Sequence, residues 1–491
     1  MAPYFANASC DPFTERSSRC EYGTYVRYAV DVGSAEQVAA TLEFAKSKNI
    51  RVVIRNTGHD WNGKSTGAGA VAIWTHHLKD IQVFDYHDEH YTGKAMKMGA
   101  GVQAFEAYAA AHEHNVVVLG GECPTVGLAG GYTQGGGHSA LSSKYGLSAD
   151  QVLAWEVVDG TGRHLIATRD NDYRDLYWAI SGGGGGTYAV VLSVTVKVHP
   201  DTTTSGAKLR FSSNEISKDI YWNAIEAYHI ALPNLVDEGI VSVAQFDHES
   251  FAINPMTGPG LSSEKMQKLL QPYLTTLHTL GITYTLDLQE FPTYFEEFHT
   301  MFSPIGTASF QYGSRIISRA SLRQNLTAIT TAFRHAAEHN CSFFSVASNV
   351  SSSIAGNPEN SVNPIWRTAI LHAVIQTPWD PLASWTSMVA RAEEMTWKHV
   401  KAFEAVTPGS GVYVNEADPN DPLWKENYYG VNYARLLRIK DQYDPEGVFY
   451  ALTAVGADRW GEKGDGRLCR KSTTTITTTT TLKGFGWRMD L

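Results

Sequence analysis

The chain has 491 residues, of which 43% are hydrophobic and 18% charged, a length that predicts two packed domains and a composition that excludes extended disorder. Forty basic residues against fifty acidic ones give a formal net charge of −10 with no block of lysine and arginine, which excludes nucleic acid and anionic membranes as partners. No run of apolar residues reaches the ~18 that a membrane-spanning helix needs.

The first residues, Met1 to Phe5, carry neither a basic nor an apolar segment. That fits a cytosolic protein or one whose leader has been removed. The sequons Asn7-Ala-Ser9, Asn325-Leu-Thr327, Asn340-Cys-Ser342 and Asn349-Val-Ser351 favour the second, so a secreted glycoprotein is expected. Five cysteines, Cys10, Cys20, Cys123, Cys341 and Cys469, leave at least one without an internal partner. Cys10 and Cys20 enclose a short polar loop suited to a disulfide, which leaves Cys123 for other chemistry.

A strand at Tyr25 to Val32 is followed by a helix that opens on the capping pair Ser34 and Gln37 and carries Val38, Leu42 and Ala45 on one face. A second strand, Ile50 to Ile54, runs into the turn-rich segment Arg55-Asn-Thr-Gly-His-Asp-Trp-Asn-Gly63, a loop at a strand end, where α/β folds bind ligands. Helix Val102 to His114 and strand Val116 to Leu119 lead to the glycine-dense region Gly120 to Gly146. Val152 to Val158 and His164 to Thr168 form a predicted hairpin about Asp159-Gly-Thr-Gly162. Five consecutive glycines, Gly182 to Gly186, precede the strand Tyr188 to Val198.

The break His199 to Gly206 marks a predicted domain boundary. From Ala207 to about Asn420, long helices (Ser262 to Leu280, Leu322 to His339) alternate with strands (Ile240 to Phe246, Ile282 to Leu288, Arg367 to Ile375). A sheet backed by helices is the expected result, suited to walling a substrate cavity. The Thr-rich end, 471–491, has no core-forming pattern.

Two patterns compete for a nucleotide. Gly99-Ala-Gly-Val-Gln-Ala104 matches the loose dinucleotide fingerprint, with Glu122 about twenty residues on as a ribose-binding carboxylate. Against it, Lys94 to Met98 alternates polar and apolar, whereas a Rossmann first strand is buried on both faces. The other pattern is the pair of loops around His59 and Cys123. Gly58 and Gly63, then Gly120, Gly121 and the run Gly127 to Gly137, supply two lysine-free cradles whose amides can meet a pyrophosphate.

The segments Arg55-Asn-Thr-Gly-His59-Asp60, Gly121-Glu-Cys123-Pro-Thr-Val-Gly127, Tyr145-Gly-Leu-Ser-Ala-Asp150, Ser181 to Val191, and Asn432 to Lys440 with Tyr443-Asp-Pro445 resemble the berberine-bridge-enzyme-like flavoproteins of the vanillyl-alcohol-oxidase superfamily, fungal type. The resemblance runs to about Trp460. It implies an α+β fold of the two-domain PCMH/VAO type, with an FAD domain of two α/β subdomains and a substrate domain whose antiparallel sheet is backed by helices. The expected extents are 1–206 completed by 423–470 for FAD, and 207–422 for substrate. No metal is expected.

The resemblance further implies FAD bonded to His59 through its 8α-methyl group and to Cys123 at position 6. Arg55, Asn56, Thr57, Gly58, Asp60 and Gly63 belong to the first implied cofactor loop, and Gly121, Thr125, Val126, Gly127, Gly130, Gly131, Gly136, Gly137 and His138 to the second. Further contacts are expected from Tyr145, Gly146, Leu147 and Asp150, from Gly184, Gly185 and Val190, and from Asn415, Asn432 and Tyr433. Val126, three residues after the cysteine, is the type that admits oxygen. Hydride transfer from a substrate carbon to FAD, then reoxidation by dioxygen to hydrogen peroxide, is the implied activity of a monomeric oxidase.

Three readings of the base stay open. In Gly411-Val-Tyr-Val-Asn-Glu416, Glu416 stands where many plant members have tyrosine: it acts as base if desolvation raises its pKa, Tyr413 substitutes for it, or Glu416 holds neighbouring backbone. The substrate is an alcohol or hemiacetal of an oligosaccharide, or a secondary metabolite. A flavin-containing cyclase without net redox turnover is the alternative.

Overall fold

A computed structural model describes residues 15–302, 310–380 and 383–471. Cys10, the Asn7 sequon and the Thr-rich tail from residue 472 lie outside the described residues.

The expected strand–helix–strand unit is present. Helix Ala35–Ser47 starts where Ser34 Oγ accepts from Gln37 N and Gln37 Oε1 accepts from Gly33 N at 2.7 Å. Its Val38, Leu42 and Ala45 are buried against Val52, Ile73 and Phe449. The flanking strands Tyr28–Asp31 and Arg51–Arg55 do not pair with each other. A third strand, Ala70–Trp74, lies between them, parallel to both.

A second sheet has five strands in the order Ile81–His87, Thr92–Gly99, Ala189–Lys197, Val152–Asp159 and His164–Thr168, with every pair antiparallel. The predicted hairpin turns where Asp159 Oδ1 accepts from the backbone of Thr161 and Arg163, and Gly162 takes φ 91°. The third sheet is the largest. Its seven antiparallel strands run Thr285–Phe291, Thr204–Ser212, Ser250–Pro259, Val241–Phe246, Ser342–Ala347, Ala369–Pro378 and Phe310–Ser318.

Helices Lys218–Asp237, Ser263–Thr279 and Arg319–Glu338 bury their apolar faces on one side of this sheet, where Tyr228, Leu232, Leu270 and Phe333 meet Phe251, Ile253, Phe343 and Ile375. That is the α+β arrangement expected, because a sheet with one helix-covered face leaves its other face to line a cavity. Near the C-terminus, helix Tyr433–Tyr443 brings the chain back to the first sheet: Phe449 bridges Val52, and buried Lys440 Nζ donates to Asp444 and to the carbonyls of Thr187 and Phe449. An ion pair this buried is held by those extra acceptors.

Candidate active site

A cavity of about 960 Å³ is walled by the loop after Arg51–Arg55, the glycine-dense region, the segment 413–416 and the uncovered face of the seven-stranded sheet. The first loop is fixed by its own polar residues. Asn56 Nδ2 donates to Ala100 O at 2.5 Å and to Thr75 Oγ1 at 3.1 Å, and the Asp60 carboxylate accepts from the backbone of Asn62, Lys64 and Ser65. These bonds leave His59 at the wall. Its Nε2 lies 2.8 Å from Thr125 Oγ1, and Cys123 Sγ lies 3.6 Å from the same oxygen. Two side chains 64 positions apart thus meet over one hydroxyl. Burial pushes the His59 imidazole below its usual pKa, which favours the neutral, nucleophilic form.

The glycine runs make a cradle. Gly131 and Gly186 both line the cavity, and a Cβ on either would find no protein atom within 4 Å. Beside them a Cβ on Gly185 would stand 2.8 Å from Gly131 Cα, so two backbones approach as only glycines allow. The buried Oδ1 of Asn56 has no donor among the described residues. Open space over bare backbone, an acceptor without a donor, and two nucleophiles side by side fit a large flavin nucleotide.

Gly127→Ala would place its Cβ 1.9 Å from Asn56 Oδ1, and Asn56 cannot withdraw without losing its bonds to Ala100 and Thr75. The variant is expected to be destabilised by about 1–3 kcal/mol and to bind less FAD. Thermal melting and the ratio of flavin to protein absorbance check this, and wild-type values for both would refute the role given to Asn56.

Glu416 sits between two histidines. Its Oε1 is 3.1 Å from His138 Nε2 and its Oε2 is 2.9 Å from His372 Nε2. Burial alone would raise its pKa; the two imidazoles outweigh burial and hold the carboxyl well below its usual range. For His138, burial works downward and Glu416 prevails, lifting it above its usual value, whereas His372 is pushed down chiefly by burial. Glu416 thus makes His138 hold its proton to a higher pH than a free imidazole, whereas buried His372 gives its proton up at a lower one. Tyr413 is raised far above the phenol range, first by burial and then by Glu416. Its hydroxyl accepts from Gly137 N and from Asn415 Nδ2 at 2.7 Å.

Of the residues expected from sequence, Asn56, Thr57, Gly58, His59, Asp60, Gly121, Cys123, Thr125, Val126, Gly127, Gly130, Gly131, His138, Gly185, Tyr413, Asn415 and Glu416 line the cavity. Arg55, Gly63, Gly136, Gly184 and Val190 are not among the lining residues. Gly137 N binds the Tyr413 hydroxyl. Gly146 takes φ 87° at the turn where Leu147 N donates to Asp150, whose carboxylate pairs with Arg367 at 2.7 Å. Tyr145 stacks on His199, Asn432 Nδ2 donates to the carbonyls of Ser361 and Val362, and the Tyr433 hydroxyl meets Asp458. Those residues brace the site from outside its wall.

Sequence reasoning missed His372, whose only signal was a histidine inside the apolar run Ala369 to Ile375. It also missed Trp61, whose ring stacks on that of Tyr312 with centroids 4.0 Å apart, and the polar residues Gln245, Ser342 and Gln376 on the sheet face. The competing fingerprint has a different use. A Cβ on Gly99 or Gly101 would run into the carbonyls of Leu78 and His76, so these glycines serve close backbone packing.

The family model described as FAD binding domain matches residues 26–168, and that described as berberine and berberine like matches 412–456. The FAD-linked oxidoreductase patO of Penicillium expansum is 46% identical over 96% of this chain and 83% of its own length. The bifunctional decalin synthase calF of Penicillium decumbens is 43% identical over 96% of this chain and 83% of its own. The crystal structure of the VAO-type flavoprotein MtVAO615 from Myceliophthora thermophila C1 superposes with a TM-score of 0.90 at 42% identity, covering 94% of this chain and 85% of that one. Cradle, paired nucleophiles and whole-length likeness agree: the chain belongs to the berberine-bridge-enzyme-like, VAO-type FAD-linked oxidoreductases.

Proposed function

We propose that the protein is an oxidase that holds FAD through two covalent bonds, at His59 and Cys123, and passes hydride from an alcohol or hemiacetal carbon to it and then to dioxygen, releasing hydrogen peroxide. The observation that carries this is the meeting of His59 and Cys123 over Thr125 Oγ1 at the cavity wall. A glucooligosaccharide oxidase from Acremonium strictum, which shares the fold, carries a 6-S-cysteinyl, 8α-N1-histidyl FAD. Val126, the residue expected to admit oxygen, lines the cavity beside Cys123.

The sheet side of the cavity offers Gln245, Ser342, Gln376 and the Trp61–Tyr312 stack, and the one lysine in the lining, Lys64, is half-buried beside Asp60. Carboxamides, hydroxyls and aromatic rings suit a neutral, hydroxylated substrate, an oligosaccharide or a secondary metabolite. Secretion and a monomeric state complete the reading. Among the described residues, Asn340 is the exposed sequon asparagine, while the amides of Asn325 and Asn349 donate to Val406 and Asp237.

Acid-precipitated protein is expected to stay yellow, and a panel of sugars and secondary-metabolite alcohols to give peroxide in air. FAD reduced anaerobically by substrate and left reduced after aeration would make the protein a dehydrogenase. The likeness to calF favours a second reading, a cyclase, which would turn over substrate without oxygen uptake.

A further inference from the structure

Glu122 stands between Gly121 and Cys123, and it lines the cavity together with Cys123, Thr125, His138 and Glu416. The residue is only 8% exposed. Its Oε1 is closed off from solvent, and no donor among the described residues reaches it. A buried carboxyl oxygen left undonated is disfavoured, and such a group calls for an explanation in chemistry.

The other carboxylates of the wall are occupied. Asp60 accepts from three backbone amides, Asp247 from the amides of Glu249 and Ser250, and Glu416 from His138 and His372. Among these four, Glu122 is the one with a buried carboxyl oxygen, Oε1, that accepts no hydrogen bond from the described residues.

We propose that Glu122 is the catalytic base that takes the proton from the substrate hydroxyl. The assignment rests on the oxidase reading above. The O–H bond of the alcohol breaks and its proton passes to the Glu122 carboxylate, hydride leaves the same carbon for FAD, and the carbonyl forms. Dioxygen then takes the two electrons and, with the hydride-derived proton and the one returned by Glu122, leaves as hydrogen peroxide.

The groups facing Glu122 suit this work. Tyr108, from helix Ala104–Glu113, donates to Gly121 O, Tyr132 donates to His138 O, and Cys123, His138 and Glu416 complete the surroundings. Burial pushes the Glu122 carboxyl up to about 7; His138 pulls it back and Glu416 pushes it further. A base is most effective when it titrates near the working pH.

The test compares the FAD-loaded wild type with Glu122→Gln and Glu122→Asp. The glutamine variant is expected to keep its FAD but to lose anaerobic flavin reduction by about 100-fold or more, the scale of general base catalysis. Glu122→Gln should remove one ionisation near pH 7 from the pH dependence of the resting visible spectrum and leave that of His138 in place. Glu122→Asp should retain reduction with a displaced pH profile, and it carries the test if the glutamine variant loads no FAD.

Reduction of Glu122→Gln at the wild-type rate, a spectral pH dependence identical to that of the wild type, or an unmoved profile in Glu122→Asp overturns the assignment. If no alcohol reduces the wild type at all, the oxidase reading falls and this role with it. Retained reduction with an unchanged pH profile removes only Glu122.

Discussion

Replacing both His59 and Cys123 by alanine is expected to turn a yellow acid precipitate into a colourless pellet beneath a yellow supernatant. Either single variant should keep the pellet yellow, because the two side chains come from separate loops and share only the Thr125 hydroxyl. His59→Ala leaves the Cys123 loop braced by Tyr108, whose hydroxyl donates to Gly121 O at 2.9 Å. Cys123→Ala leaves the His59 loop braced by Asn56 and Asp60. A second readout concerns stability. A ligand that dissociates stabilises a fold according to its free concentration, whereas a bonded one does so regardless of it. Added FAD should therefore raise the melting temperature of the double variant and leave that of the wild type unchanged. A colourless wild-type pellet, or a wild-type melting point that rises with added FAD, would refute covalent attachment.

What the sequence disclosed and what it hid follow a physical line. Local signals were legible: the capping pair at Ser34 and Gln37, the Asp159–Gly162 turn, and the helix faces are set by residues within a few positions of one another, and the structure reproduces them to within two or three residues. His59 and Cys123 stood out because each sits in a glycine loop of distinctive composition. Pairing across long separations was not. Strand Ala70–Trp74 inserts between two strands that read as neighbours, since nothing local records which strand a short apolar run joins.

His372 stayed hidden for the same reason. A histidine in an apolar strand reads as core until Glu416, far along the chain, is brought to its Nε2. Tyr145, Asp150 and Asn432 show the opposite case, in which a motif was visible while its part in bracing the wall needed Arg367, His199 and Ser361 in place. Glu122 was read with the wrong glycines; its place in the cavity depends on Cys123 beside it.

Glu416→Gln is expected to have the largest effect on stability. Glutamine offers one acceptor and one donor group where the carboxylate accepts from two imidazoles, so one of the contacts at 3.1 and 2.9 Å must reverse or fail. Losing one partner of a buried ion pair costs about 3–5 kcal/mol. The pH dependence has a defined sign. His138 is lifted above its unfolded value of about 6.5, so its contribution is complete below that pH and is lost as pH rises through the folded value. Glu416 is depressed below its unfolded value of about 4.3, so its contribution is present above that pH and is lost as pH falls through the folded value. Both operate together between about pH 5 and 6.5. The gap in urea midpoint between wild type and Glu416→Gln should be widest there and narrow on the alkaline side as His138 gives up its proton. Covalent FAD should be retained, because His59 and Cys123 meet at Thr125 and not at Glu416. A gap that stays constant from pH 5 to 9 would mean that His138 carries no charge in the folded protein, and Glu416 would then be a neutral brace for the strand above the cavity.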